Sequence, residues 1–222
     1  MTGKISEVFR SIQGEGIFWG EEHIFVRFYG CNLACVYCDT KLTKFKEYSA
    51  KALLDEIIKQ GEKIKIVSFT GGEPLMQADF LKEIMTLTKA AGYRNYLETN
   101  GALYKELKEV ISLIDIISMD FKLSSTTGMK DLWAEHKEFL RIAAEKIVFV
   151  KTVISEDTKE EDIKSSLNIL KGFPRVRFVL QPDSEANIID IDENLINFKE
   201  MSLKQGVRVN VIPQMHKILG VK

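Results

Sequence analysis

The 222-residue chain is poor in the residues that staple or segment a protein: three cysteines, three histidines, two tryptophans and four prolines. The odd cysteine count, with no cysteine outside positions 31–38, argues against the paired framework of a disulfide-stabilised secreted domain. His23, His136 and His216 stand far apart, so no finger-like histidine pair accompanies the thiols. There is no Pro/Gly/Ser-rich stretch, low-complexity segment or long like-charge block to mark a domain boundary. No apolar run approaches the roughly 18 residues that a membrane span needs. Thirty-one Lys and Arg nearly balance thirty-two Asp and Glu. A net charge of −1 gives no reason to expect nucleic acid or a membrane surface as partner. The first residues carry no charged n-region followed by an apolar h-region, and the expectation is a cytoplasmic, reducing location. One domain over 1–222 is expected. Residues 1–22 form an N-terminal extension that contributes to a substrate pocket, and 213–222 a C-terminal tail.

What is present is concentrated. Cys31, Cys35 and Cys38 lie in the run GCNLACVYCDT. Three thiolates at this spacing can hold three corners of a 4Fe-4S cubane, which normally takes four. One iron then stays open to another ligand, so the cluster reads as a reagent rather than a staple. A structural zinc site would need a fourth ligand and usually two paired ligand clusters. Three ordinary buried thiols would not explain the confinement of every cysteine to one short run.

The rest of the sequence alternates short β-branched runs with longer amphipathic ones. Strands are expected at 23–29, 64–69, 95–99, 115–120, 146–153, 175–180 and 207–212. Between them, apolar residues recur at helical spacing in SAKALLDEIIKQ, ADFLKEIMTLTKAA, KELKEVISLI, MKDLWAEHKEFLRIAA, TKEEDIKSSLNILKG and ENLINFKEMSLKQ. Ser49 and Ser155 are candidate N-caps, and Gly61, Gly92, Gly172 and Gly206 candidate stops. About six β–α units imply an α/β fold with a parallel sheet, too few for a closed eight-fold barrel. The expectation is an open partial (β/α)6 barrel, with a doubly wound sheet as the alternative.

In barrels of this kind chemistry gathers at the C-terminal ends of the strands. The cysteines, TGGEP (70–74), ETNG (98–101), DFK (120–122), QPDS (181–184) and PQMHK (213–217) all fall there. Gly71-Gly72 either makes a tight turn or lets bare backbone approach a charged ligand. Glu98 is either a solvated carboxylate or an acceptor for an ammonium group. Asp120 and Lys122 alternate, so they face one pocket or pair at the surface. Arg27, among apolar neighbours, either meets a carboxylate with its fork or faces solvent. The SIQGEG run (11–16) is a turn or the edge of a small-molecule pocket, with Gln13 and Glu15 reading a heterocycle's donors. Asp39 and Thr40 either bind Mg²⁺ or make a hydrogen-bonded turn.

Cys31-x₃-Cys35-x₂-Cys38, Tyr37 before the third cysteine and GGEP at 71–74 resemble the radical S-adenosylmethionine superfamily. SIQGEG, FVRFYGCNLACVYCDT (25–40), ETNG and PQMHK resemble, within it, the 7-carboxy-7-deazaguanine synthases, nearly end to end. The resemblance implies a radical SAM-type partial barrel and a lyase reaction in queuosine and other 7-deazapurine biosynthesis. In it, 6-carboxy-5,6,7,8-tetrahydropterin contracts to 7-carboxy-7-deazaguanine with loss of ammonia. It implies that Cys31, Cys35 and Cys38 hold a 4Fe-4S cluster. Tyr37, Asp39, Gly72, Glu98, Asp120, Lys122 and Gln181 would contact S-adenosylmethionine. Ile12, Gln13, Gly14, Glu15, Arg27 and Thr70 would contact the pterin, with Arg27 on its carboxylate, and Thr40 would ligate Mg²⁺. It further implies an external flavodoxin- or ferredoxin-like electron donor and a homodimer.

Two departures stand out. Asp120-Phe121-Lys122 replaces the family's frequent Ser-Pro-Lys, and the segment from Thr40 to Ser49 is short. The competing functions are a glycyl-radical enzyme activase, for which SIQGEG and Arg27 would be incidental, and a non-catalytic iron–sulfur electron carrier, which would not need GGEP.

Overall fold

A computed structural model describes residues 1–38, 42–61, 63–184 and 188–221, apart from the side chains of 188–191. Among the described residues nine strands run along the chain: β1 (Thr2–Ile12), β2 (Glu22–Phe28), β3 (Lys46–Ser49), β4 (Ile66–Gly71), β5 (Arg94–Thr99), β6 (Ile116–Asp120), β7 (Ile147–Ile154), β8 (Arg177–Pro182) and β9 (Val209–Val211). The helices are α1 (Ala50–Lys59), α2 (Ala78–Ala90), α3 (Tyr104–Val110), α4 (Ser124–Thr127), α5 (Trp133–Ala143), α6 (Glu160–Leu170), α7 (Ile188–Lys204) and α8 (Met215–Leu219). Among the described residues the strands make one sheet, ordered β3-β1-β2-β4-β5-β6-β7-β8-β9. From β2 to β9 every pairing is parallel and each crossover carries a helix, which gives the six expected β–α units. The first and last strands in that order are not paired to each other, so the barrel is open.

The period-two pattern of each strand sorts its side chains into two layers. Val67, Phe69, Leu97, Ile117, Met119, Val150, Phe178 and Leu180 face the helices and join the main core. Ile66, Tyr96, Ile116, Phe149 and Val179 point the other way and form a second cluster on the concave face, plugged by Ile17 and Phe18. Gly16, at φ +65°, starts the 3₁₀ turn that carries this plug, and a Cβ there would overlap the Phe149 ring. His23 closes the same floor, with Nδ1 2.6 Å from the Ser68 hydroxyl. Burial, then the Arg94 charge, lowers its pKa to about 4, so it is neutral. Two residues further along each strand, the concave side chains change from apolar to polar, as from Tyr96 to Glu98 and Phe149 to Lys151, and the cavity opens there.

All seven expected strands form, to within two residues at their ends. Ser49 caps α1, accepting from Ala52 N at 3.3 Å. Ser155 does not cap: α6 starts later, after Lys159, and the Ser155 N–H instead donates to Thr158 Oγ1 at 2.9 Å. Residues 1–22 carry β1, which belongs to the sheet. β1 pairs antiparallel with β2 and continues the barrel wall. The C-terminal tail contains α8, and its entry is pinned by Met215 N donating to Gly14 O at 2.8 Å. No helix among the described residues is long and apolar enough to cross a membrane.

Candidate active site

A cavity of about 990 Å³ occupies the mouth of the barrel above the C-terminal strand ends. The cysteine loop forms one wall. β2 ends at Phe28 and β4 runs parallel beside it, pairing Phe28 with Gly71. The chain then closes this junction with Gly72 N donating to Phe28 O at 3.1 Å and Glu73 N to Gly30 O at 2.8 Å. A Cβ on Gly72 would overlap the Gly30 carbonyl, so the glycine is required by the close approach of two backbones. The loop leaves this anchor directly into Cys31. None of the three cysteines is in a disulfide. Leu33 N points at Cys31 Sγ from 3.4 Å, and Ala34 N at Met129 Sδ from 3.4 Å. Burial, ahead of every charge nearby, raises the Cys31 and Cys35 thiols, while Lys122 pulls both down.

Glu73 of the GGEP run does not face the cavity. Fully buried, it accepts from Leu75 N (3.1 Å), Thr99 Oγ1 (3.0 Å) and Asn100 N (2.8 Å), tying the end of β4 to the end of β5. Burial raises its pKa to about 7 against these donors. Asn100, so placed, donates from Nδ2 to Asn32 Oδ1 at 2.8 Å, next to Cys31. Its carbonyl meets His136 Nε2 at 3.1 Å, and that ring stacks on Phe121 at 4.8 Å. Burial lowers His136 to about 4, so Nε2 bears a proton only as the neutral donor tautomer.

Beside the cysteine loop lies a buried charge cluster. Lys151 on β7 places Nζ 2.9 Å from Glu15 Oε2 and 2.9 Å from Asp120 Oδ2. Lys122 also donates to Asp120 Oδ2 at 2.8 Å and to the Tyr37 hydroxyl at 3.1 Å, with its ammonium 5.0 Å from that ring's centre. Gln214 donates to Glu15 Oε1 at 2.8 Å, reaching from the C-terminal segment. Burial would raise Glu15, but Lys151 and the Gln214 amide override it and hold the carboxylate at about 2. Burial likewise opposes the charge on Asp120, and Lys122 with Lys151 holds it down. Asp120 Oδ1 and Gln181 Oε1 are buried on the cavity wall with no partner among the described residues. Buried acceptors left open in this way suit donors of a ligand.

A third group joins β4, β5 and the SIQGEG turn. Glu98 accepts from Thr70 Oγ1 at 2.6 Å and from Gln13 Nε2 at 2.8 Å, while Gln13 Oε1 takes Glu15 N at 3.0 Å. Burial, then the Glu15 charge, raises the Glu98 carboxyl. Arg27 lies at the cavity edge, 3.4 Å from Glu7 and with its guanidinium 5.5 Å from the centre of the Phe9 ring.

Thus Cys31, Cys35, Cys38, Ile12, Gln13, Gly14, Glu15, Arg27, Thr70, Tyr37, Gly72, Glu98, Asp120, Lys122 and Gln181 all line the one cavity. Asp39 and Thr40 lie outside the described residues. Glu98 meets a hydroxyl and an amide here, and the ammonium-rich cluster forms around Asp120 instead. Sequence reasoning missed Lys151, Gln214 and the inward turn of Glu73. Lys151 sits inside KIVFVKTV, and a lysine alternating into the concave face of a buried strand was the available signal.

The fold and this thiol-lined mouth define the class: a family model described as the radical SAM superfamily matches residues 25–170. Similar curated proteins are both called 7-carboxy-7-deazaguanine synthase. That of Geobacter sulfurreducens is 33% identical over 98% of this chain and 97% of its own, and that of Methanocaldococcus jannaschii 34% over 98% and 99%. The crystal structure of QueE from Escherichia coli shares the fold, with a TM-score of 0.68, 23% identity, and 95% and 94% of the two chains covered. The chain belongs to the radical SAM superfamily and, within it, to the 7-carboxy-7-deazaguanine synthase family. Membership brings a 4Fe-4S cluster and S-adenosylmethionine as cofactors. The residues present fit the cluster: the chain's only three thiols rim one cavity, none is tied up in a disulfide, and Cys31 Sγ already receives a backbone N–H.

Proposed function

We propose that this protein catalyses the contraction of 6-carboxy-5,6,7,8-tetrahydropterin to 7-carboxy-7-deazaguanine with release of ammonia. The observation that carries the reading is the meeting, in one cavity, of three thiols, the buried Lys122–Asp120–Lys151–Glu15 cluster, the Gln13–Glu98–Thr70 group and Arg27. In this reading Cys31, Cys35 and Cys38 hold the cluster. Tyr37, Asp39, Gly72, Glu98, Asp120, Lys122 and Gln181 bind S-adenosylmethionine. Ile12, Gln13, Gly14, Glu15, Arg27 and Thr70 bind the pterin, and Thr40 ligates Mg²⁺. When bound, cluster and S-adenosylmethionine supply the radical chemistry that removes one hydrogen from the substrate. The rest is placement. The Arg27 fork suits the pterin carboxylate. Glu15, held ionised by Lys151 and Gln214, accepts from the amino and ring N–H donors of the heterocycle. Asp120 Oδ1 and Gln181 Oε1 offer open acceptors to hydroxyl groups. Glu98, bonded to Gln13 and Thr70, stands at the border of the two seats. Loss of ammonia leaves the product with no net oxidation of the substrate.

An external flavodoxin- or ferredoxin-like protein supplies the electron, a homodimer is the working form, and the cytoplasm its location. The decisive assay is anaerobic: reconstituted enzyme, reductant, S-adenosylmethionine, Mg²⁺ and the carboxy-tetrahydropterin should give ammonia and the deazapurine chromophore. Cleavage of S-adenosylmethionine without deazapurine would overturn the substrate. It would leave the superfamily intact and favour a glycyl-radical enzyme activase. Thr40→Ala should abolish the response to Mg²⁺, and an unchanged Mg²⁺ dependence would remove Thr40 from the metal site.

A further inference from the structure

We propose that Lys151 is a positioning residue whose single ammonium holds two carboxylates at once, Glu15 in the pterin seat and Asp120 in the S-adenosylmethionine seat. The proposal rests on the assignment of those two seats above. Lys151 is a tenth exposed and lies in the middle of β7, paired with Asp120 on β6 and Val179 on β8: its carbonyl accepts from Phe121 N at 2.8 Å, and Oγ1 of the next residue, Thr152, donates to Phe121 O at 2.9 Å. Its Nζ therefore has little freedom, and both carboxylates come to it, each at 2.9 Å. Glu15 and Asp120 belong to segments 105 residues apart in sequence (120 minus 15), and Lys151 is a basic group shared by the two.

The arrangement is not symmetric. Asp120 keeps a second ammonium, that of Lys122, whereas the other partners of Glu15 are the Gln181 and Gln214 amides, with the His216 ring the next titratable group facing it. Without Lys151, two buried carboxylates face one gap with one ammonium between them, and repulsion is relieved by protonating the less supported one. That one is Glu15, which also has the Glu98 carboxyl nearby. A protonated Glu15 accepts poorly from the pterin's N–H donors. Loss of Lys151 thus turns a pH-indifferent pterin seat into one that empties as pH falls, while weakening S-adenosylmethionine binding less.

The test uses anaerobically reconstituted holoenzyme, with equilibrium binding of S-adenosylmethionine and of the carboxy-tetrahydropterin measured separately between about pH 6 and 8.5. In Lys151→Met the pterin should bind about ten- to a hundredfold more weakly at the lower pH, the range expected for losing a charge-assisted hydrogen bond, and recover towards the higher pH. Lys151→Arg should restore the flat profile. Should Lys151→Met fail to assemble its cluster, Lys151→Met/Glu15→Gln removes the facing charge. It should assemble the cluster and bind S-adenosylmethionine as weakly as the loss of the Lys151–Asp120 contact dictates, with a pterin affinity that no longer varies with pH. A pterin affinity in Lys151→Met that falls equally at every pH and is not rescued by Lys151→Arg would overturn the proposal, leaving mere packing. If the parent protein itself binds S-adenosylmethionine but no pterin, the functional reading fails instead. The Lys151–Asp120 half is then judged by S-adenosylmethionine affinity alone, which should still drop in Lys151→Met.

Discussion

Gly72→Ala probes how closely the cysteine loop must sit to the strand that supports it. A Cβ at position 72 would lie 2.5 Å from the Gly30 carbonyl carbon and 3.0 Å from Cys31 N, and would overlap the Gly30 oxygen outright. Ordinary carbon contacts begin near 3.5 Å, so Cys31 must retreat by about half an ångström and Gly30 by about an ångström or more. Both are backbone, held by Glu73 N→Gly30 O and Gly72 N→Phe28 O, and neither can swing aside as a side-chain tip could. Overpacking of this kind costs about 1–3 kcal/mol, which the apo fold should survive. The larger effect falls on geometry. A displacement near 1 Å at the first cluster ligand can cost about a hundredfold in rate where reacting atoms must be held near contact. We therefore expect urea denaturation of the apo protein to shift modestly, while iron content after reconstitution and turnover both fall steeply. Equal iron content and turnover in Gly72→Ala and parent would refute the view that this backbone contact sets the loop.

Three further outcomes follow from the same geometry. Asn100→Ala removes the bond to Asn32 and leaves Ala102 N without its 3.0 Å acceptor, so about 1–3 kcal/mol of stability and a sharp electron paramagnetic signal of the reduced cluster should be lost together. Glu15 is held at about 2 against 4.5 in the unfolded chain, so it contributes stability that is present above about pH 4.5 and lost as pH falls towards 2. The gap in unfolding free energy between parent and Glu15→Gln, on the order of 3 kcal/mol at neutral pH, should shrink to roughly half in urea titrations taken down to about pH 3. Removing residues 213–222 deletes the Gln214 bond to Glu15 and the Met215 bond to Gly14. Pterin affinity should then drop about tenfold with S-adenosylmethionine affinity unchanged, and an equal loss of both would contradict the placement of the tail.

The cysteine spacing, the β–α alternation and the gathering of polar segments at strand ends were legible in the sequence because each is local. Thiol spacing is fixed by chain length over eight residues, and strand and helix periods show in short windows. Even Arg27 and the Asp120–Lys122 alternation could be placed on a common rim by counting. β1 was not legible as a strand, since its residues Gly3 to Ser11 mix polar and apolar and it gains its ladder from β2, which lies beyond the SIQGEG turn.

What only the tertiary structure decided is which charges meet. Nothing in the order of residues says that Glu73 turns inward to cap Thr99 and Asn100, or that Lys151 answers both Glu15 and Asp120. Nor does it say that a C-terminal glutamine braces a carboxylate from the first fifteen residues. These contacts depend on the register of parallel strands and on the closure of the barrel mouth, which bring side chains together across tens to nearly two hundred residues. Burial then fixes their charge states, because in a low-dielectric mouth a carboxylate stays ionised only where an ammonium or amide reaches it. The sequence alone set three thiols at cluster spacing directly after the first parallel strand, on the rim. The fold decided which side chains line the space beside it.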